Sequence, residues 1–334
     1  MSSPALGAGD QPAPVLSELG LREDGLSRPN LRKEKDGRQR VSKARRWWSL
    51  IWVVPAIALV CVFVYLPLGQ NIYLSFFDWS VFNPNPEFVG VENYSHAAND
   101  PIFWTSLRNN VLFAVVSLVI QVGGSFVLAA VIEGYVRGKA RAALRAIYFI
   151  PSAISITVAG LIFYFIYQPN SGLLNAFLDV VGMGSYAQAW LGQESTAIWG
   201  IIVMAQWQSF GYTALLYSVA IQRIPTELYD AADLDGVGPV RRMLKITLPL
   251  VGEMTTLLVI VTVSGAFQVF NEVMVMTAGG PNNSSQVLGT WLYRNGFIHD
   301  QFGYAAAIAT VVFVITFSLA VLQMWWNNRK RVDW

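Results

Sequence analysis

Asn110-Val-Leu-Phe-Ala-Val-Val-Ser-Leu-Val-Ile-Gln-Val-Gly-Gly-Ser-Phe-Val-Leu-Ala-Ala-Val-Ile132 contains no charged residue. It is long enough to cross a hydrocarbon core, which takes roughly 20 predominantly apolar residues. Working outward, five further stretches have the same character, with approximate limits 48–70, 146–167, 197–221, 252–276 and 303–326. None holds a Lys or Arg, and only the fifth span has a carboxylate inside it, Glu272. Backbone polar groups in lipid must bond within the segment, so each stretch predicts a helix. The expected fold class is all-α: a polytopic membrane protein with six transmembrane helices.

Composition agrees. The 334 residues are 54% hydrophobic and 13% charged, against about a quarter charged in an ordinary soluble domain. The mean hydropathy of +0.43 is held down by a polar N-terminal arm. From Ser2 to Gln39 that arm is rich in Pro, Gly, Ser and charge, lacks apolar periodicity, and predicts disorder. The basic stretch Lys43–Arg46 precedes the first apolar run without a small-residue cleavage site, so the run reads as a retained span. The expected division is a basic arm at 1–46, a six-span membrane domain at 47–328 and a short tail at 329–334. Cys61 is the sole cysteine, which excludes an intrachain disulfide, and with two histidines no His/Cys metal cluster is available.

Positive charge sets the orientation. The arm, the 133–145 loop (Arg137, Lys139, Arg141, Arg145), the 222–251 loop (Arg223, Arg241, Arg242, Lys245) and the tail (Arg329, Lys330, Arg331) together carry 21 Lys and Arg, whereas the alternate loops carry 2, Arg108 and Arg294. The positive-inside rule therefore predicts a plasma-membrane protein with both termini and the 222–251 loop in the cytoplasm. Phe76 to Trp79, Trp104, Trp190 and Trp199 fall in or beside the external loops, as interface belts require, contacts with an external partner being the other reading.

The 222–251 loop has its own architecture. Pro225 fixes φ, Thr226 can cap a helix from Glu227, and acidic residues follow in its first turns. Gly236, Gly238 and Pro239 break that helix, and an amphipathic second stretch runs from Val240 to Leu248 with Arg241, Arg242 and Lys245 among apolar residues. The alternative is a charged loop lying on lipid headgroups.

Asp230-Ala231-Ala232, Gly236 three residues beyond Asp233, and Ile246-Thr-Leu-Pro249 resemble the "EAA" loop of permease subunits in binding-protein-dependent ABC importers. The surrounding Leu228-Tyr229 and Ala231 to Pro239 are similar to the carbohydrate branch, the maltose-type and glycerol-3-phosphate-type permeases. Phe88-Val-Gly-Val-Glu-Asn-Tyr94 and Thr277-Ala-Gly-Gly-Pro281, followed by Gly303-Tyr-Ala-Ala-Ala307, extend the resemblance to about residues 48–326. It implies a type I importer (MetI-like) architecture and a coupling helix seated in an ATPase subunit. Glu227, Asp230, Ala231, Ala232, Asp235, Gly236, Arg241, Ile246 and Pro249 would form that dock, with Asp230 where the family usually has glutamate. The partners implied are a second homologous permease subunit, an ABC ATPase dimer and an external solute-binding lipoprotein, with membrane lipids around the spans and no nucleic acid.

Polar groups inside spans usually face a cavity or a partner helix. Gln208, Ser209 and Tyr212 share one face of the fourth span, and Gln268, Asn271 and Glu272 one face of the fifth. The two faces predict a wet substrate path, interhelical bonding being the alternative. Ser152 and Ser155, after Pro151, are further candidates. With no Lys or Arg in the spans, the chemistry suits a neutral sugar better than glycerol 3-phosphate. No phosphate loop is present, since Gly138-Lys139-Ala140 lacks the required spacing and following Ser/Thr. No nucleophile–base arrangement appears either, so the chain is expected to be no enzyme and to need no cofactor of its own, with ATP hydrolysed on a partner. An ion-coupled secondary transporter is the rival class. It would show repeats or several buried ionisable groups, and only Glu272 qualifies.

Overall fold

The computed structural model describes residues 52–328. The N-terminal arm and the tail proposed above lie outside these. The chain divides into a short unit, Met1–Leu59, and a second, Val60–Trp334, which holds every element below apart from the start of the first helix.

In chain order the elements are α1 (Val54–Leu74), β1 (Phe77–Ser80), β2 (Asn83–Phe88), α2 (Glu92–Asn99), α3 (Pro101–Tyr135), α4 (Gly138–Phe149) and α5 (Ile156–Ile166). There follow α6 (Leu173–Val180), α7 (Ala197–Ile221), α8 (Thr226–Leu234), α9 (Pro239–Leu250), α10 (Gly252–Phe267), α11 (Asn271–Met276), α12 (Leu288–Tyr293) and α13 (Phe302–Asn328). The chain is predominantly helical rather than all-α. The one sheet among the described residues is the antiparallel β1–β2 hairpin, with Phe77 opposite Phe88 and Ser80 opposite Asn83.

Among the described residues three helices, α1, α3 and α13, are long and apolar enough to cross a membrane, or up to five if each bent pair is one span. The expected fourth span, α7, has the length at 25 residues, but Gln206, Gln208 and Ser209 interrupt its apolar run. The expected third span is not one helix. A 3-10 turn, Ile150–Ala153, and an extended Ile154 separate α4 from α5, which meet at 92°. Pro151 accounts for this, because it denies its carbonyl partner an N–H and cannot continue the α-helix. The fifth is also divided: α10 stops at Phe267 and α11 restarts at Asn271, and Glu253 falls within its limits as well as Glu272, in the first turn of α10.

Backbone groups freed at these breaks are recaptured inside the protein, as a low-dielectric surround demands. Asn110 Nδ2 donates to the Ala266 carbonyl at 2.7 Å, and its Oδ1 accepts from Leu288 N–H at 2.8 Å. Asn109 Nδ2 donates to the carbonyls of Ser284 and Gln286. Two polar residues of α3 thereby fasten both the fifth-span break and the segment before α12.

Packing uses small residues for close approach. A Cβ on Gly211 of α7 would strike the Tyr148 carbonyl of α4, and Gly160 of α5 lies against Val275 of α11. At the hairpin end, buried Asp100 caps α3 by accepting from Ile102 N–H, and its other oxygen accepts from Trp291 Nε1 (2.8 Å) and Tyr304 Oη (2.7 Å). Apolar burial falls into two clusters. One, around Phe113, Ile201, Met204 and Leu288, lies toward the hairpin end, and the other, around Phe126, Tyr217, Ile224 and Val251, toward the α8–α9 end.

Candidate functional site

The 222–251 loop folds into the expected pair of short helices. Thr226 is not the cap: α8 begins at Thr226 itself, Pro225 precedes it, and no side chain closes the end. The far end closes on Gly236 at φ +68°, with Gly236 N–H donating to the Asp233 carbonyl and Val237 N–H to the Ala232 carbonyl. That double bond pattern needs a left-handed residue, which is what glycine supplies. No atom lies near the position of a Gly236 Cβ, so the glycine is there for its backbone and not for a close neighbour.

Arg242 ties the projection down. It donates to Asp233 Oδ1 at 2.7 Å and lies 5.6 Å from the ring centres of both Tyr135 and Tyr229. Tyr229 in turn bonds Thr247, which is buried. Arg242 is thus bound to protein rather than lying on headgroups. Arg141 and Arg145 are likewise paired with Glu133, whose side chain is only 4% exposed. A cavity of about 580 Å³ lies behind the projection, with Arg242, Tyr229 and Asp230 among its walls.

Of the residues expected to form a dock, Glu227, Asp230, Ala231, Asp235, Gly236 and Arg241 are exposed together with Leu228 and Leu234. Ala232 is not available, being 5% exposed and turned toward its own chain. Ile246 is half-buried. Pro249 is exposed just past a π turn, Met243–Thr247, and at Val251 the chain bends by 77° into α10. Proline's missing N–H disfavours a regular α turn there.

The substrate-path residues partly converge. A cavity of about 350 Å³ is lined by Ser152, Gln208, Ser209, Tyr212 and Glu272, with Ser117, Gln121, Thr213 and Thr262 beside them and apolar residues such as Phe113 and Leu258. Phe113 belongs to one apolar cluster and Leu258 to the other, so the cavity sits where the two meet. The polar faces both bond across helices and line the cavity. Gln208 Nε2 donates to the Ile154 carbonyl at the third-span break (3.1 Å), and Tyr212 N–H donates to Ser152 Oγ (2.9 Å), while the same side chains face the cavity. Ser209 Oγ donates to Gln208 Oε1. Glu272 accepts from Phe270 N–H at 3.4 Å and so closes the start of α11. Gln268 and Asn271 are exposed beside the break and, with Ser155, are not among the lining residues. Helical spacing placed them beside Glu272, but the break at 268–270 turns them elsewhere. The polar residues of α3 were missed. Ser117 and Gln121, four apart in an apolar run, were the available signal.

Helices long and apolar enough to cross a membrane, a polar cavity where two packed clusters meet and a two-helix projection beyond it make up a membrane-protein architecture. The chain belongs to the family of binding-protein-dependent transport system inner membrane components, whose model matches residues 125–332. Among its relatives is the probable ABC transporter permease protein YurN of Bacillus subtilis, 47% identical over 274 residues, covering 82% of this chain and 94% of that one. The diacetylchitobiose uptake system permease protein NgcF of Streptomyces coelicolor is 33% identical, covering 88% and 86% respectively. In fold, the chain matches a subunit in the crystal structure of a bacterial ABC transporter involved in the import of the acidic polysaccharide alginate. The TM-score is 0.75 at 21% identity, with 86% of this chain and 98% of that chain covered.

Proposed function

We propose that this chain is one of two homologous permease subunits of an ABC importer and that it passes a di- or oligosaccharide, delivered by an external solute-binding lipoprotein, through the cavity between its two apolar clusters. The observation that carries the substrate class is the lining: amides, hydroxyls, a phenol and one carboxylate, with no Lys or Arg among the described lining residues. Sugar hydroxyls exchange water for such partners at little net cost, whereas an anion would ask for a cation. Names of relatives support the same class, including those for diacetylchitobiose, starch degradation products and arabinooligosaccharides. A relative 28% identical is named for sn-glycerol 3-phosphate, and the cationless lining speaks against that substrate.

The proposed topology has six spans, the divided third and fifth included, with both termini and the α8–α9 projection in the cytoplasm. Exposed Glu227, Asp230, Ala231, Leu234 and Asp235 would seat in a separate ATPase dimer. The proposed mechanism is alternating access. When ATP closes that dimer, the projection moves, and the bend at Val251 passes the movement to α10, whose Leu258, Val261 and Thr262 line the cavity. Gln268 and Asn271, exposed at the 268–270 break, would face the second subunit and complete the path. The test is the reconstituted importer in proteoliposomes. Stimulation of its ATPase by a sugar-loaded receptor is expected, and stimulation only by a receptor loaded with a phosphorylated ligand would overturn the substrate class.

A further inference from the structure

We infer that α3 supplies a second sugar-reading wall to the cavity, made by Gln121 and Ser117 and held in place by Gln206. The inference rests on the reading of the cavity as the substrate path. Three observations carry it. First, α3 departs from α-helical geometry in mid-span, widening into a π segment over Leu118–Gly124. Such single-turn widenings are rare and concentrate at functional sites, and this one carries Gln121 on the cavity wall one turn beyond Ser117.

Second, the polar groups there are linked across helices. Gln206 of α7, 5% exposed, donates from Nε2 to Ser117 Oγ at 3.0 Å, and Gln121 Nε2 approaches the same oxygen at 3.5 Å. The Ser117 oxygen is therefore used as an acceptor, which leaves its own O–H to donate. Third, Gln206 Oε1 is buried without a partner, a cost that a purely structural pair of helices would avoid. Gln206 is a positioning residue here, and Gln121 and Ser117 are the contact residues.

The free capacity is one hydroxyl donor beside amide acceptors, and Gln208 and Glu272 stand elsewhere on the same cavity wall. That pattern fits a ring bearing neighbouring hydroxyls, each donating and accepting once, and offers a carboxylate or phosphate no cation. Gln121 would then discriminate among sugars by where their hydroxyls stand, in addition to the selection made by the external receptor.

The test uses the whole importer in proteoliposomes and three radiolabelled probes: maltose, cellobiose and N,N′-diacetylchitobiose. Gln121→Leu is expected to lower the maximal uptake rate of the best probe about tenfold, the scale of one lost buried hydrogen bond with its partner left open. It should also change the rate ratio among the probes, and Gln121→Asn should recover a large part of both. A loss of packing alone would lower all probes equally and would not be rescued by the shorter amide. That outcome, or wild-type uptake by Gln121→Leu in parallel with an impaired Gln208→Leu, overturns the inference and leaves the cavity reading intact. Wild-type uptake by both variants, or no uptake of any probe by the unaltered importer, overturns the cavity reading itself. Assembly is checked by co-purification with the ATPase. Ser117→Ala provides a second variant, with the same shift in probe ratio expected.

Discussion

Arg242 shows what one side chain does for the projection. Its pair with Asp233 is on the surface, since the Asp233 side chain is 60% exposed, and by itself contributes under about 1 kcal/mol. Two tyrosine faces add about 0.5–1 kcal/mol each, and because Tyr135 ends α3 while Tyr229 lies in α8, they join separate elements. Arg242→Ala is expected to leave the spans folded and to lower the ratio of sugar imported to ATP hydrolysed. Arg242→Lys should recover less than half of it, because an ammonium cannot lie flat against two rings. The measurement is paired uptake and ATPase assays on the same proteoliposomes. At the other end, Asp100→Ala removes a cap and the acceptor shared by Trp291 and Tyr304. A destabilisation of about 2 kcal/mol or more is expected, read as a lower melting temperature in detergent.

Among the elements, two glycines separate backbone need from steric need. Gly236→Ala meets open space but a left-handed backbone, so it should cost about 1 kcal/mol locally, keep assembly and weaken coupling of hydrolysis to uptake. Gly211→Ala meets the Tyr148 carbonyl and should prevent α4 from seating on α7, seen as loss of monodisperse protein on size-exclusion chromatography. Normal transport by both variants would refute these assignments. How far the sequence disclosed these elements follows from the same physics. Apolar runs and the Gly236–Pro239 bend were readable because length and glycine geometry are local properties. The break at 268–270 was not, since no proline marks it and its freed carbonyl is bonded by Asn110, more than 150 residues away in the chain. Gln208, Ser209, Tyr212 and Glu272 were expected together from spacing along their helices, and they line one cavity. Ser117 and Gln121 look in sequence like isolated polar residues in an apolar run. Only the fold sets them opposite α7. Ala232 was misassigned because its small size said nothing about which way it faced.

For the molecule as a whole, α3 is the element that reaches both ends. Its first turn is held by Asp100, its last residue meets Arg242, and its 35 residues correspond to about 50 Å of helix. Orientation can be tested on this axis. With Cys61 replaced by Ser, Arg294→Cys should react with a membrane-impermeant maleimide in intact cells, and Arg137→Cys only after permeabilisation. The reverse labelling would invert the proposed topology. The two apolar clusters are bridged by α3, α7 and α10, so a change of angle between them would open or narrow the cavity without disturbing either cluster.

The hydrogen bond from Gln208 to the Ile154 carbonyl bears on residence time. On the proposed path, a hydroxyl arriving at Gln208 would meet an amide with one N–H already given to the Ile154 carbonyl and its oxygen already accepting from Ser209, so that only the second N–H and one lone pair are open to it. Affinity at this point would therefore be capped by what the wall has already taken. A conduit must bind well enough to admit its cargo and weakly enough to release it. A wall partly committed to its own backbone would meet both conditions, and would leave tight recognition to the proposed external receptor.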